Sequence, residues 1–374
     1  MSNEETLELF KFEAIPGYPR LRWQGKRPFE STQFYPAQLK EAHGEPIGDW
    51  INKIFWGDNI QVMSSLLQKF RGKIKLVYID PPFDSKADYK KNIRLRGRSI
   101  SNDISMFEEK QYTDIWVNDS YLQFMYERLV LIRELLSKTG VIFVHLDPNI
   151  SPYIRLIMDE IFGENNFVAN FTWKTRQASG KQVSQNNTSI EHEYILCYQK
   201  NMVKFIGVPR KRESYKNPDN DPRGDWAKHP LDVGSTRSER PNCYYDLIDP
   251  DTGNIYHANP NRVWAYAPES MNRLLSEGKI LFNPNGNTKP YLKKFWIDLK
   301  TQFKPISSWL SRDAFNIGYN TEGTKSVNNL FNGKIFDYPK PESIVKLLVE
   351  QIAINNEDIV LDLFSGSATT AHAV

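Results

Sequence analysis

The chain has little of several things that would announce a class. It has two cysteines, Cys197 and Cys243, in 374 residues. Two thiols cannot make a zinc site or a disulfide framework, and a reducing cytoplasm suits them. No run of about 18 apolar residues occurs, so the sequence offers no membrane-spanning helix. The opening stretch, MSNEETLELFKFEAIPG, is acidic and lacks the apolar core of a secretory signal. Charge of one sign is also scarce. With 48 Lys and Arg against 45 Asp and Glu the net charge is +3, so any nucleic-acid role must rest on local clusters. Apolar residues, at 40%, are enough for a sizeable core and two or three domains. Aromatics reach 13%, which suits base stacking, although most of them belong in a core.

The most informative stretch is Lys75–Tyr89, KLVYIDPPFDSKADY. Leu76, Val77, Tyr78 and Ile79 form an apolar run of strand length. The strand must end at Asp80, because Pro81 and Pro82 carry no N–H for a ladder. A carboxylate, a rigid turn and the ring of Phe83 are thus presented where a parallel strand stops, which is where ligands sit in open α/β sheets. Such a turn also serves as plain punctuation. Between Asp84 and Arg98 six cations face two anions, among them Lys90, Arg94 and Arg96. A charge run is ordinarily solvated surface; placed directly after this turn, it also suits DNA phosphates.

Along the rest of the chain, residues 1–47 read as an N-terminal extension. Ile54–Asn59 reads as a strand and turn, with Asp58 at the N-cap of a helix over Ile60–Phe70. Tyr121–Leu136 has the spacing of an amphipathic helix stopped by Gly140, and Val141–Leu146 is the next strand. Ser151-Pro152 opens a helix that Gly163 closes. His145, at its strand's end, reads as a satisfied structural histidine. Phe167–Trp173 and Tyr194–Tyr198 read as strands, joined by a loop rich in Gly, Ser, Asn and Gln that Lys174 and Arg176 introduce. Residues 200–305 change character, with turn clusters and short aromatic strands such as those around Asp249–Asn254. Lys200–Arg240 holds ten Lys and Arg against six Asp and Glu, Arg210 and Arg223 among them. This suits an inserted, mostly β domain, for sequence readout or for dimerisation. From 306 the α/β character returns. Pro341 starts a helix, Asp358–Leu363 reads as a buried strand, and a small-residue turn, Phe364-Ser365-Gly366-Ser367-Ala368-Thr369-Thr370, follows.

The order of these parts is a catalytic turn, then an insert, then a small-residue turn. It resembles the beta class of DNA amino-methyltransferases, and above all the modification subunits of type III restriction–modification systems. The resemblance runs from about Phe55 to Val374. It is carried by Gly57-Asp58-Asn59, Asp80-Pro81-Pro82-Phe83, Glu191-His192-Glu193-Tyr194, Asp219–Gly224, Tyr338-Pro339-Lys340-Pro341 and Asp362–Ser367. It implies a Rossmann-like, doubly wound sheet in permuted order. The catalytic half would be 48–199, a target-recognition insert 200–305 and the cofactor half 306–374. It also implies methyl transfer from S-adenosyl-L-methionine to adenine N6 in duplex DNA, the base being flipped out of the stack. Asp80 and the Pro81 carbonyl would accept the two amino hydrogens, Pro82 would stiffen the turn and Phe83 would stack on the base. Asp58, Lys340, Asp362, Phe364, Gly366, Ser367 and Thr369 would hold the cofactor. Lys90, Arg94, Arg96, Lys174, Arg176, Arg210 and Arg223 would meet DNA. No metal is required. The likeness further implies a bacterial cytoplasmic homodimer and an ATP-dependent restriction subunit as partner. Ala368 stands where many of the class have glycine. In this class the chain runs on to a further strand whose acidic residue holds the cofactor ribose, so the resemblance implies an incomplete cofactor half. Cytosine N4 as target, RNA or protein-amide methylation, and an inactive DNA-binding specificity fragment remain as alternatives. Cys243 follows Asn242, so the Pro-Cys nucleophile of 5-methylcytosine enzymes is absent.

Overall fold

The computed structural model describes residues 20–29, 32–48, 50–82, 118–177, 188–283, 288–352, 355 and 357–374, together with the backbone at 93–95 and 98–100. The chain forms two compact units, one from 1–206 with 306–374 and the other from 207–305. The elements run α1 (Asn59–Phe70), β1 (Ile74–Ile79), β2 (Ile93–Leu95), β3 (Arg98–Ile100), α2 (Asn118–Leu135), β4 (Leu136–Leu146), α3 (Ser151–Phe162), β5 (Phe167–Lys174) and β6 (His192–Gln199). The second unit holds β7 (Val208–Pro209), β8 (Trp226–Pro230), β9 (Leu247–Ile248), β10 (Ile255–Tyr256), α4 (Pro268–Ser276), β11 (Ile280–Leu281), β12 (Tyr291–Phe295) and β13 (Phe303–Lys304). The first unit then resumes with β14 (Trp309–Leu310), α5 (Arg312–Phe315), α6 (Asn320–Phe331), α7 (Glu342–Glu350), β15 (Ile359–Leu361) and α8 (Thr369–Ala373).

The first unit is built on a six-stranded sheet in the order β14-β5-β6-β4-β1-β15. β1 pairs in parallel with both β4 and β15, and β14 in parallel with β5. Only β6 runs antiparallel to its neighbours β4 and β5. Both faces are covered, which explains the unbroken apolar runs. Val77, Ile79, Ile142 and Val144 point into one cluster with Met63 and Leu67 of α1, Met125 and Leu129 of α2 and Ile157 of α3. Leu76, Tyr78, Val141 and Phe143 point into the other, against Ile344, Val345 and Leu348 of α7. This is the Rossmann-like sheet expected from the sequence, in permuted order: β15, last in the chain, lies beside β1, the first of the six. The second unit is mostly β, with the sheet β11-β12-β8, the β9–β10 hairpin and α4. Its own core gathers Leu231, Leu247, Tyr256, Trp264 and Met271.

Four local expectations differ. Residues 51–57 form no strand; Ile54 and Trp56 are 94% and 82% exposed, and only Phe55 packs on the core. Gly140 does not end the second helix. That helix stops at Leu135 because Leu136 already pairs with Ile74, and residues 137–140 make the irregularity that shifts the register to Leu76↔Val141. Ser151 is not a cap: the Asp147 carboxylate accepts from the N–H groups of Asn149 and Ile150 instead. The strand over 358–363 is only three residues long, half-buried, and at the edge of the sheet, where β1 is its one partner among the described residues. No helix among the described residues is long and apolar enough to cross a membrane.

Candidate active site

The carboxyl ends of β1 and β15 lie side by side, with Val77 opposite Leu361. Each strand is followed by an aspartate, Asp80 and Asp362. Pro81 is buried and Pro82 exposed. Phe83 lies outside the described residues. The Lys340 ammonium, two residues before α7, sits 3.1 Å from Asp80 Oδ1, 3.0 Å from Asp80 Oδ2 and 3.5 Å from Glu193 Oε2. Glu193 belongs to β6, and its Oε2 lies 2.8 Å from His145 Nε2 on β4. That approach is close without ideal hydrogen-bond alignment, and it favours the charged form of the Glu193 carboxylate. The other ring nitrogen, Nδ1, is 2.8 Å from the Tyr78 hydroxyl on β1. His145 is fully buried, edge-on to Trp173. A polar chain Tyr78–His145–Glu193–Lys340–Asp80 thus runs from the core to the end of β1.

The titration of these groups follows from burial and neighbours. Burial pushes Glu193 upward, but His145 and Lys340 outweigh it and bring it down to about 2. Burial lowers the Lys340 ammonium, yet Asp80 and Glu193 hold it above its ordinary value. Tyr78 is driven well up, first by burial and then by the charges of Asp80, Asp362 and Glu193. Asp362 is pushed up to about 6, chiefly by burial with a contribution from Asp80, against the pull of the Thr370 hydroxyl and the Phe364 N–H. The Thr370 hydroxyl donates to Asp362 Oδ2 at 2.6 Å and the Phe364 N–H to Oδ1 at 2.9 Å.

The turn after β15 is tight. Gly366 has φ 51°, and a Cβ there would come 3.2 Å from the Phe336 ring. Ala368 has φ 60°, a left-handed conformation that costs a non-glycine residue about 1–2 kcal/mol. Ser367 and Thr369 share a hydrogen bond of 2.9 Å, and the Thr369 hydroxyl donates to the Lys340 carbonyl at 3.3 Å. Phe364 packs near Phe124, whose ring is covered by the Arg128 guanidinium at 3.4 Å. Arg128 in turn reaches Asp58 Oδ2 at 3.1 Å and Asn59 Oδ1 at 2.5 Å. Asp58 also caps α1 by accepting from the Ile60 N–H, as its place before the helix predicts. Asp58, Lys340, Asp362, Phe364, Gly366, Ser367 and Thr369 therefore collect around the ends of β1 and β15.

The basic residues behave differently. Lys90 and Arg96 lie outside the described residues, and of Arg94 only the backbone is described, paired with Ser99. Lys174 lies 3.7 Å from Glu191, and Arg176 donates twice to the Ile190 carbonyl, so both tie the base of their loop. Arg210, in the second unit, has its Nε buried with no hydrogen-bond partner among the described residues. Arg223 forks onto Asp221 at 2.8 and 2.7 Å and donates to the Glu277 carbonyl. This gives it a place in the frame of its own unit. No metal-binding cluster occurs among the described residues.

Sequence reasoning missed Glu193, His145 and Tyr78 as one group. The available signal was polarity at strand ends: on otherwise apolar strands all three point to one face. Arg128 was hidden inside a helix.

The chain is 33% identical over 354 residues to the StyLTI Mod subunit, a type III restriction–modification protein of Salmonella typhimurium, covering 90% of this chain and 50% of that one. It is 28% identical over 367 residues to the EcoP15I Mod subunit of Escherichia coli, covering 85% and 55%. The chain thus spans about half the length of these relatives. Among solved structures, the PvuII DNA methyltransferase (cytosine-N4-specific) aligns over 85% of this chain and 75% of that one, with 14% identity and a TM-score of 0.37. Residues 74–374 match the DNA methylase family along their whole length, and the chain belongs to that family.

Proposed function

We propose that this chain transfers a methyl group from S-adenosyl-L-methionine to adenine N6 in duplex DNA, as the modification part of a restriction–modification system. The observation that carries the reading is the Asp80 carboxylate, held by a buried ammonium at the end of β1 beside the small-residue turn of β15. The site's charge also favours a cationic ligand. Asp80 and Glu193 share the Lys340 ammonium, Asp362 adds a carboxylate close enough for Asp80 to act on it, and Asp58 on the neighbouring cap is paired with Arg128. The donor set and the tight turn at Gly366 fit S-adenosyl-L-methionine, which supplies an electrophilic methyl group when bound.

In this reading Asp58, Asp362, Phe364, Gly366, Ser367 and Thr369 line the cofactor. Asp80 and the Pro81 carbonyl accept the hydrogens of a flipped amino group, with Phe83 stacked on the base. Holding both hydrogens draws the nitrogen lone pair out of ring conjugation and aims it. Positioning and electrostatics then do most of the work, with no covalent intermediate. Residues 207–305 read the sequence. An open cavity of about 300 Å³ in that unit, lined by Arg212, Asp225, Trp296 and Gln302, is one place for such contacts. Lys90, Arg94 and Arg96 follow the catalytic turn and contact phosphates, and Lys174, Arg176 and Arg210 add to them. The protein acts in the bacterial cytoplasm as a homodimer, with an ATP-dependent restriction subunit as partner.

The test is incubation of duplex DNA with methyl-labelled cofactor, followed by digestion to nucleosides. Label is expected in N6-methyladenine, and Asp80→Ala is expected to abolish it while DNA binding stays within severalfold. Label in N4-methylcytosine would move the target to cytosine, and wild-type turnover by Asp80→Ala would refute the role of the turn.

A further inference from the structure

We propose that Glu193 is a positioning residue of this site: with Lys340 it fixes the Asp80 carboxylate, and His145, oriented by Tyr78, fixes Glu193 in turn. The inference rests on the methyl-transfer reading. It starts from how an ammonium behaves. Lysine ends a flexible four-carbon stem in a compact charge with three rotatable donors. A single carboxylate partner would leave Lys340 free to swing, and Asp80 with it. Here a second carboxylate stands 3.5 Å away on a different strand. The two anions define a line on which the ammonium must lie, and its side chain is only 9% exposed.

Glu193 needs its own support, because it is mostly buried and sits where β6 begins. His145 supplies it from the middle of the sheet. With the Tyr78 hydroxyl donating to Nδ1, the ring proton is on Nε2, facing Glu193 at 2.8 Å. The groups facing this chain are Tyr78 from β1 and Asp80 just after it, His145 from β4, Trp173 from β5, Glu193 from β6 and Asp362 after β15. Tyr78, His145 and Glu193 are all on strands, so this end of the clasp is as rigid as the sheet. That rigidity matters because the acceptor for an amino hydrogen must hold its place to within about 1 Å, beyond which roughly 100-fold in rate is lost. The arrangement also commits the Lys340 side chain to the catalytic turn rather than to the cofactor.

The test is Glu193→Gln, which keeps shape and removes charge. We expect kcat for methyl transfer to fall roughly 100-fold while calorimetric affinity for S-adenosyl-L-methionine stays within about threefold. Lys340→Arg should retain part of the turnover, since a guanidinium can still bridge two carboxylates, and Lys340→Met should not. Unchanged kcat in Glu193→Gln would overturn the proposal. So would a loss of cofactor affinity as large as the loss of kcat, which would put Lys340 on the cofactor. A readout independent of turnover is heteronuclear NMR of the lysine ammonium groups. One signal, missing from Lys340→Arg, should exchange slowly with water in the wild type and at least about tenfold faster in Glu193→Gln. If the wild type transfers no methyl group, the functional reading fails, and equal exchange rates in the two proteins would then defeat the clasp by itself.

Discussion

Replacing Gly323 by alanine sets two well-understood effects against each other. Gly323 lies inside α6, where alanine is the better helix former by about 1 kcal/mol. Propensity alone therefore predicts a more stable protein. The packing predicts the opposite. A Cβ at Gly323 would stand 2.1 Å from the Pro339 carbonyl oxygen, 2.8 Å from the Lys340 carbonyl carbon and 2.9 Å from its oxygen. A normal carbon–oxygen contact is about 3.3 Å, so roughly 1 Å of movement is required. The obstructing atoms are backbone and cannot rotate aside. Overpacking costs about 1–3 kcal/mol, and a 2.1 Å clash with backbone belongs in the upper half of that range, which outweighs the gain in propensity. We expect Gly323→Ala to be about 1–2 kcal/mol less stable in urea unfolding. The segment that must move carries Lys340, whose ammonium is 3.0 Å from Asp80. A displacement near 1 Å breaks that contact, and methyl transfer should fall roughly 100-fold. Gly333→Ala is the internal control: nothing lies within 4 Å of its Cβ position. A Gly323→Ala protein as stable as the wild type, with turnover within about twofold, would show that α6 does not set the position of Lys340.

Two further outcomes follow from the same structure. Asp362 keeps its proton up to about 6 in the folded chain, against an ordinary 3.8, so the folded state binds more protons across that window. The contribution of Asp362 to stability should be fully present below the lower value and be lost as pH rises through the upper one, by about 3 kcal/mol in full. Urea unfolding of wild type and Asp362→Asn at about pH 4 and about pH 7 checks this, and an equal pH slope in both proteins would refute it. Exchanging residues 207–305 for the matching unit of a relative should move the methylated sequence, as mapped by single-molecule sequencing; an unchanged site would place specificity in the first unit.

The sequence by itself determined much of the sheet and its catalytic corner. The runs Leu76–Ile79 and Val141–Leu146 are apolar because both faces of β1 and β4 are covered, and two prolines end β1 at Asp80 whatever surrounds it. The hairpin at Asp249–Asn254 was legible for the same reason: its turn is made by local bonds such as Asp249 Oδ1 to the Asp251 N–H. Residues 51–57 misled, since aromatic and β-branched residues look like a strand whether or not a neighbouring strand is there to pair with them. What only the tertiary structure decided is the company Asp80 keeps. Lys340 is 260 positions away in the chain, and Glu193 and His145 meet it only because β6 runs antiparallel to β4 in one register. Local propensity carries no information on such contacts. They exist because burying a lysine requires carboxylates, and the folded sheet is what brings them within reach.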